Sequence, residues 1–320
     1  MNPRATFGLL SAALAALLVT AAAASAQTYP TQRITVVVPF GAGSVTDILA
    51  RIFAEEMRKR WDQQVVVENR PGLAGTAAVA KATPDGYTLM VTSNGHTVSA
   101  LVSKNIPFDP VKDFSGITRL GSVPLYLIIN PGGQAKNLKE LIALAKEKPG
   151  KLNFSSPGLA STTFIAGALF RKAAGVDLVH VPYKSAPDAV TAVVRGDADM
   201  YFAPVNLSKE MAEAGKVVAI AAATAQRLPE MQHVPTFTEE GLLFVYDSWF
   251  GLLAPAGVPR PVLDKISKEW AAALKTPEMQ ARLKSQFVLG ASDTPEAFDK
   301  IISDETANLT AVFKEANFAQ

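Results

Sequence analysis

The apolar positions of this chain alternate between two periods, one typical of strands and one typical of helices. Residues 34–38 form a short β-branched run, as expected of a strand buried on both faces. After it, Val45, Ile48 and Ile52 recur at spacings of three and four, which predicts an amphipathic helix. The strand pattern returns along the chain, and we predict strands at 34–38, 65–67, 87–92, 125–130, 152–154, 176–181, 200–202, 217–223 and 249–254.

Helical patterns follow many of these strands, so the sequence predicts an α/β fold. We predict helices after Ser44, from Asn137, and at about 161–174, 187–195, 261–274 and 295–316. Two series of strand and helix units with a long C-terminal return predict two lobes. Lobe 1 would comprise residues 27–124 and 249–320, and lobe 2 would comprise residues 125–248.

The first 26 residues resemble a secretory signal peptide. Arg4 gives a positive start, residues 7–23 are uncharged and apolar, and Ala24-Ser25-Ala26 fits the small-residue cleavage rule. The alternative is a membrane anchor, but the apolar run is shorter than the roughly 20 residues that a span requires. We therefore predict export and cleavage after Ala26.

Composition removes several classes of function. With 31 basic and 29 acidic residues dispersed along the chain, nothing indicates a nucleic-acid partner. There is no cysteine, which excludes thiol catalysis and iron–sulfur clusters, and the three histidines are far apart, so we predict no metal and no cofactor.

The loop after the first predicted strand is the strongest candidate for a binding site. Ligands of open α/β sheets bind beyond the carboxyl ends of the strands, and free N–H groups at a helix N-terminus attract anions. Glycine also lets the backbone approach a ligand closely. The alternative is a purely structural turn. The candidate residues in this loop are Phe40, Gly41, Ala42, Gly43, Ser44, Thr46 and Asp47.

The same loop nearly matches the dinucleotide fingerprint G-x-G-x-x-G. Gly41 and Gly43 fit, Thr46 stands in place of the third glycine, and Glu68 occupies the ribose-binding position. Export argues against a nicotinamide cofactor, and no G-x-S-x-G hydrolase elbow is present. A secreted α/β enzyme, either a nicotinamide oxidoreductase or a hydrolase, remains the alternative function.

Further candidates lie at other strand ends. A hydroxyl-rich loop leads into the helix at 161–174, which predicts a second anion site. His96 could donate to a carboxylate or be solvated, Lys184 could pair with an anion or be solvated, and Tyr183 could stack on a ligand or pack at the surface. The complete set is Thr92, Ser93, Asn94, His96, Ser155, Ser156, Gly158, Ser161, Thr162, Pro182, Tyr183, Lys184 and Ala203.

Seven short motifs, in order and at consistent spacing, carry a family resemblance across residues 29–318. The chain resembles the substrate-binding proteins of tripartite tricarboxylate transporters, the Bug family of periplasmic solute receptors. The motifs are Pro39-Phe40 with Ala42-Gly43 and Asp47-x-x-Ala50-Arg51, residues 67–72 (VENRPG), 84–89 (PDGYTL), 109–114 (DPxKDF), 181–184 (VPYK), 234–236 (VPT) and 249–257 (WFGLLAPAG).

The resemblance implies a type II periplasmic-binding-protein fold, in which two lobes close over a small carboxylate. It implies that the loops at 39–47 and 155–162 grip one carboxylate group and that the loaded receptor docks on a membrane permease. It also implies a periplasmic protein without catalytic activity, and we expect a monomer.

Several residues depart from the family pattern. Gly41 replaces a usual proline and Ser44 a usual glycine, while Ala160 and Phe164 stand where glycine and histidine are common. Ser185 replaces another glycine, and the chain is about three residues short after Gly75. Phe164 would favour a longer or aromatic carboxylate if it faced the cleft, and it could equally face the core.

Overall fold

The computed structural model describes residues 29–103, 105–246 and 248–315. Within these ranges, eleven strands and ten α-helices alternate, which confirms the α/β class. The predicted signal peptide lies outside the described residues. The strands are β1 (Ile34–Val38), β2 (Val65–Asn69), β3 (Thr88–Ser93), β4 (Phe114–Ser122), β5 (Leu125–Ile129), β6 (Asn153–Ser156), β7 (Val179–Pro182), β8 (Met200–Pro204), β9 (Val218–Ala222), β10 (Trp249–Pro255) and β11 (Leu289–Gly290).

The helices connect the strands and cover both faces of each sheet. They are α1 (Val45–Trp61), α2 (Leu73–Ala80), α3 (Gly95–Val102), α4 (Leu138–Glu147), α5 (Thr162–Ala174), α6 (Ala186–Arg195), α7 (Val205–Glu213), α8 (Arg260–Ala273), α9 (Pro277–Ser285) and α10 (Pro295–Glu315). No helix among the described residues is long and apolar enough to cross a membrane.

The two sheets have the same arrangement of strands. The first sheet has the order β11-β4-β10-β3-β1-β2, and the second has the order β7-β6-β8-β5-β9. In the first sheet β10 runs antiparallel between β3 and β4. In the second sheet β5 runs antiparallel between β8 and β9. Each sheet therefore holds a reversed strand at the same internal place, and the first sheet has a second reversed strand, β11, at its edge.

Several elements were not predicted from the sequence. The polar residues 93–97 (SNGHT) predict a loop after the third strand, but α3 begins at Gly95. The prediction was wrong because the Thr97 side chain and the Thr97 N–H both donate to the Asn94 carbonyl oxygen, at 2.7 and 3.2 Å, which stabilises a helical turn of polar residues. The other unpredicted elements are β4, β11, α2, α7 and α9.

Two crossing segments and one long helix connect the sheets. Where the chain passes between them, the Ser248 hydroxyl donates to the Val123 carbonyl oxygen, and Val123 N–H donates to the Ser248 carbonyl oxygen at 3.4 Å. The C-terminal helix α10 buries Phe298 in a cluster with strands of the first sheet and Phe313 in a cluster with strands of the second. The predicted lobe boundaries stay a prediction.

Candidate functional site

Segments that follow strands of the two sheets meet at Gly95 and Ala160. Gly95, at the start of α3, is in direct contact with the segment before α5, because a methyl group added at Gly95 would overlap the Ala160 carbonyl oxygen. A cavity of about 250 Å³ opens beside this contact. It is lined by Phe40, Thr92 and His96 from one side and Ala160 from the other, together with residues of α2 and α3.

The first loop presents its backbone to open space. Gly41, Ala42 and Gly43 are exposed, and no atom lies within 4 Å of a side chain added at Gly41 or Gly43. Gly43 has a φ of +81°, a conformation that favours glycine. Ser44 then caps α1, its hydroxyl accepting from Asp47 N–H at 3.2 Å. The N–H groups of Val45 and Thr46, at the start of the helix, have no acceptor within it, so they are available to an anion.

Asp47 is buried beneath this loop and holds its shape. Its carboxylate accepts from Gly43 N–H at 2.9 Å, Arg51 Nε at 3.0 Å and Asn69 Nδ2 at 2.9 Å. Asn69 also donates to the Phe40 carbonyl oxygen at 3.2 Å. Burial raises the pKa of Asp47, but these donors together hold it below its usual value. Asp47 is therefore an ionised support of the loop.

The residues after β3 form a buried polar cluster that also fixes the loops. Asn94 Nδ2 donates to the Tyr246 hydroxyl and, at 3.2 Å, to Glu305 Oε1 on α10. Glu305 Oε2 also accepts from Trp249 Nε1 at 2.8 Å and from the Thr97 hydroxyl at 3.2 Å. Thr92 and Ser93 are likewise buried. The cluster connects α3, the crossing segment before β10 and α10.

His96 is buried and uncharged. Its ring stacks on Phe108 at 6.2 Å between centroids and meets the edge of Phe114 at 4.8 Å. Burial lowers its pKa to about 4, against the smaller opposing effect of a 2.8 Å hydrogen bond between Nε2 and the Pro110 carbonyl oxygen. Since that carbonyl only accepts, Nε2 carries the proton. His96 therefore forms a neutral wall of the cavity.

The second candidate loop is held by hydroxyl groups and an imidazole. The Ser156 hydroxyl accepts from Gly158 N–H at 3.1 Å and contacts His180 Nε2 at 2.7 Å. Ser161 caps α5, accepting from Phe164 N–H at 3.1 Å and donating to the Gly158 carbonyl oxygen at 2.7 Å. Thr162 begins the helix, and Gly158 has open space around it. Ser155 is buried, with its hydroxyl bonded to the Ala189 carbonyl oxygen at 3.0 Å.

The position of Phe164, which the sequence left open, is now defined. Phe164 is fully buried against Phe154, His180 and Phe313, so it faces the core. Burial lowers the pKa of His180 to about 4. Phe164 therefore gives no indication of an aromatic ligand.

Of the predicted site residues, only Phe40, Thr92 and His96 line the cavity at Gly95. Pro182, Tyr183 and Lys184 line a separate surface depression that also contains Asp188 and Arg195. Ala203 is fully buried under α7, where its carbonyl oxygen accepts from the Ser208 hydroxyl at 3.0 Å. As ligand contacts these residues stay predictions.

Sequence reasoning missed the residues that support the loops. Arg51 and Asn69 stood in motifs of the family resemblance but had been given no part in the site. Tyr201, whose hydroxyl is buried, carried no signal, since it lies in an apolar run that predicts only a buried strand. Among the described residues, no group of three or more acidic or histidine side chains is placed to hold a metal ion.

Comparison with known proteins identifies relatives that agree with the predicted receptor family. The family model for the tripartite tricarboxylate transporter family receptor matches residues 49–318. Protein BugT of Bordetella pertussis is 32% identical over 303 residues, covering 92% of each chain.

Solved structures agree. A protein of R. palustris solved with adipate is 29% identical, with a TM-score of 0.76 over 90% of this chain and 98% of its own. MatC from Rhodopseudomonas palustris with bound malate is 30% identical, with a TM-score of 0.74 over 89% of this chain and 99% of its own. These likenesses confirm the predicted two-lobe periplasmic-binding-protein fold.

Proposed function

Because this chain belongs to the tripartite tricarboxylate transporter receptor family, we propose that it captures a small organic carboxylate and delivers it to membrane permease subunits. The proposal is carried by one observation. The capped helices α1 and α5 follow strands of different sheets, and the loops that precede them contribute Phe40 and Ala160 to the lining of the same cavity, beside Gly95.

The chemistry of these two loops suits an anion. Each offers backbone N–H groups that have no acceptor within its helix, and the helix dipole adds a favourable field. A hydrogen bond to a charged group contributes about 1.5–3 kcal/mol, so several of them reach the roughly 8 kcal/mol of micromolar binding. Relatives solved with adipate and malate support a carboxylate as the ligand class.

We further propose that the protein works in the periplasm after cleavage behind Ala26, as a monomer and without catalysis. The family consists of receptors, which disfavours the secreted enzyme considered above. Ser156 and His180 stabilise the second loop, which argues against a catalytic role for them in a hydrolase. The Ser156 hydroxyl is buried and accepts a hydrogen bond from Gly158 N–H.

A panel of acids tests the ligand class. Purified protein is titrated by calorimetry and thermal melting with aliphatic dicarboxylates, tricarboxylates and aromatic acids, each paired with its neutral amide. We expect at least one acid to bind and raise the melting temperature, because a ligand stabilises the state it binds. The amide should bind far more weakly. Equal binding of acid and amide, or turnover of the acid, would contradict the proposal.

Substitution of Gly95→Ala tests whether the lobes must touch for binding. The added methyl group would overlap the Ala160 carbonyl oxygen, so the closed arrangement becomes less favourable. We expect about tenfold weaker binding, equivalent to about 1.4 kcal/mol, with the melting temperature of the free protein maintained. Gly132→Ala, in a turn after β5 with only the Asn130 side chain nearby, is the control and should bind normally. Normal affinity in Gly95→Ala would show that closure at this contact is not needed.

A further inference from the structure

The cavity of about 250 Å³ at Gly95 adjoins both of the loops to which the proposed function assigns the carboxylate. Pro39 and Phe40 line the cavity and lead directly into the exposed backbone of the first loop. Ala160 lines it as well and immediately precedes Ser161, the cap of α5. The cavity is therefore the space that both loops share, next to the place where the carboxylate group would be held.

The side chains around this cavity carry no charge. Phe40, Leu73 and Phe108 supply large apolar surfaces, and the polar part of the lining consists of hydroxyl groups and the imidazole of His96. Among the described residues, no lysine, arginine, aspartate or glutamate lines it. The protonated nitrogen of the neutral His96 ring is bonded to the Pro110 carbonyl oxygen at 2.8 Å, so the ring has no N–H left for an anion.

The N-terminus of α3, which also lies beside the cavity, already has a carboxylate next to it. Glu305 accepts from the Thr97 hydroxyl and from Asn94 Nδ2, each at 3.2 Å, and both donors belong to the first turn of α3 or its cap. The favourable end of the helix dipole is thereby used by the protein itself. A second acidic group in the cavity would be buried without a cation, and burial of an unpaired charge is costly.

The volume of the cavity limits the size of what it holds. An apolar cavity of about 150 Å³ is enough for benzene, so this larger one has room for a phenyl ring or a chain of about six carbon atoms. Each methylene group that enters such a cavity strengthens binding about fourfold. The lining and the volume together suit a compact apolar group.

We propose that the receptor selects monocarboxylic acids with an apolar body, and that this body occupies the cavity lined by Phe40, Leu73 and Phe108. The inference rests on the proposed function and extends it by naming the class of acid. It distinguishes this chain from the relatives solved with adipate and malate, which are both diacids.

Pairs of acids with the same carbon skeleton test the selectivity. Calorimetry on the wild-type protein compares hexanoate with adipate and benzoate with terephthalate, so that each pair differs by one carboxylate. We expect a monoacid to bind about tenfold or more tightly than its diacid, because the second charge has no partner in the cavity. Propionate, butyrate and hexanoate should bind with increasing affinity, by about fourfold for each methylene group.

A diacid that binds as tightly as the monoacid on the same skeleton would overturn the inference while leaving the receptor function intact. Failure of the protein to prefer any acid over its neutral amide would overturn both.

Leu73→Lys tests whether the body of the acid lies in this cavity. Leu73 begins α2 and is 37% exposed, so a lysine there adds a cation at the cavity without entering the core. We expect the affinity for adipate relative to hexanoate to rise about fivefold, as for one added ion pair. Leu73→Met, which adds no charge, should keep the wild-type ratio.

Val66→Lys is the matched control for the added charge. Val66 is an apolar residue of β2 with 36% exposure, and it does not line the cavity. It should keep the wild-type ratio of adipate to hexanoate affinity. An unchanged ratio in Leu73→Lys, or an equal rise in Val66→Lys, would show that the body of the acid lies elsewhere and would overturn the inference.

Discussion

The first and second candidate loops reach the same backbone geometry by different chemistry. Each precedes a helix capped by serine, with Ser44 accepting from Asp47 N–H at 3.2 Å and Ser161 accepting from Phe164 N–H at 3.1 Å. Beneath the first loop lies a charged network of Asp47 and Arg51, whereas the second is held by hydroxyl groups and the neutral ring of His180.

The difference matters for the proposed anion site, because the buried negative charge beneath the first loop is neutralised locally. Asp47 would repel an anionic ligand if it faced the cleft alone. Arg51 contacts both of its carboxylate oxygens, at 3.0 Å in each case, so the pair presents little net charge. The N–H groups of the loop then determine what binds. The second loop needs no such compensation because its supports are uncharged.

Removal of the Asp47 carboxylate should have the largest effect. Asp47→Ala leaves Gly43 N–H, Arg51 and Asn69 without their acceptor, and we expect the free energy of unfolding to fall by about 3 kcal/mol, as for a broken, largely buried charge network. Urea unfolding measures it. Asp188→Ala is the control, because Asp188 stands at the same place after the cap Ser185 but is exposed, and it should cost less than about 1 kcal/mol. Equal losses in both variants would refute the network as the main support.

Acid should affect the second loop before the first. The pKa of His180 is lowered from 6.5 to about 4, so the unfolded chain takes up its proton first as the pH falls. The stability that the neutral ring contributes is present above pH 6.5 and is lost between pH 6.5 and 4. We expect this loss to be about 1–2 kcal/mol for His180 after solvent screening.

His96, also with a pKa of about 4, contributes in the same window, whereas the lowered pKa of Asp47 places its loss at more acid pH. Unfolding at pH 7, 5.5 and 4.5 measures the effect. His180→Gln should reduce the pH dependence, and exposed His233→Gln should leave it unchanged. An unaltered slope in His180→Gln would contradict the assignment.

The two serine caps should have the smallest effect and test whether the loops are equivalent. Ser44→Ala and Ser161→Ala should each lower the free energy of unfolding by about 1 kcal/mol, which is typical of a lost N-cap. Both should also weaken binding. Thr276→Ala removes a similar cap from α9, where Thr276 accepts from Met279 N–H at 3.3 Å, and should lower stability alone. Unchanged affinity in either serine variant would remove that loop from the site.

The features that could be predicted from the sequence are those that depend on residues close together in the chain. Apolar periods located most strands, and the glycines and serines before α1 and α5 indicated the two capped helix ends. Strand β4 was not predicted because Gly116 and Gly121 interrupt its apolar pattern. Those glycines are required by contacts far along the chain, since side chains there would meet Phe298 and Val288.

Other features could not be predicted because they join residues that are distant in sequence. The bond between Asn94 and Glu305 spans 211 positions, and no local pattern indicates it. Tyr201 packs in a different core cluster from its neighbours Met200 and Phe202, and the run of the three residues is uniformly apolar in sequence.

The position of β10 also constrains the order in which the protein assembles. The second sheet is formed entirely from residues 125–222, so it can be completed from one continuous stretch of chain. The first sheet needs Trp249–Pro255 between β3 and β4, so those two strands cannot be joined until the chain has been made beyond residue 255. During synthesis, the first sheet must therefore wait for a late segment, whereas all strands of the second sheet are present to pair before that segment is made.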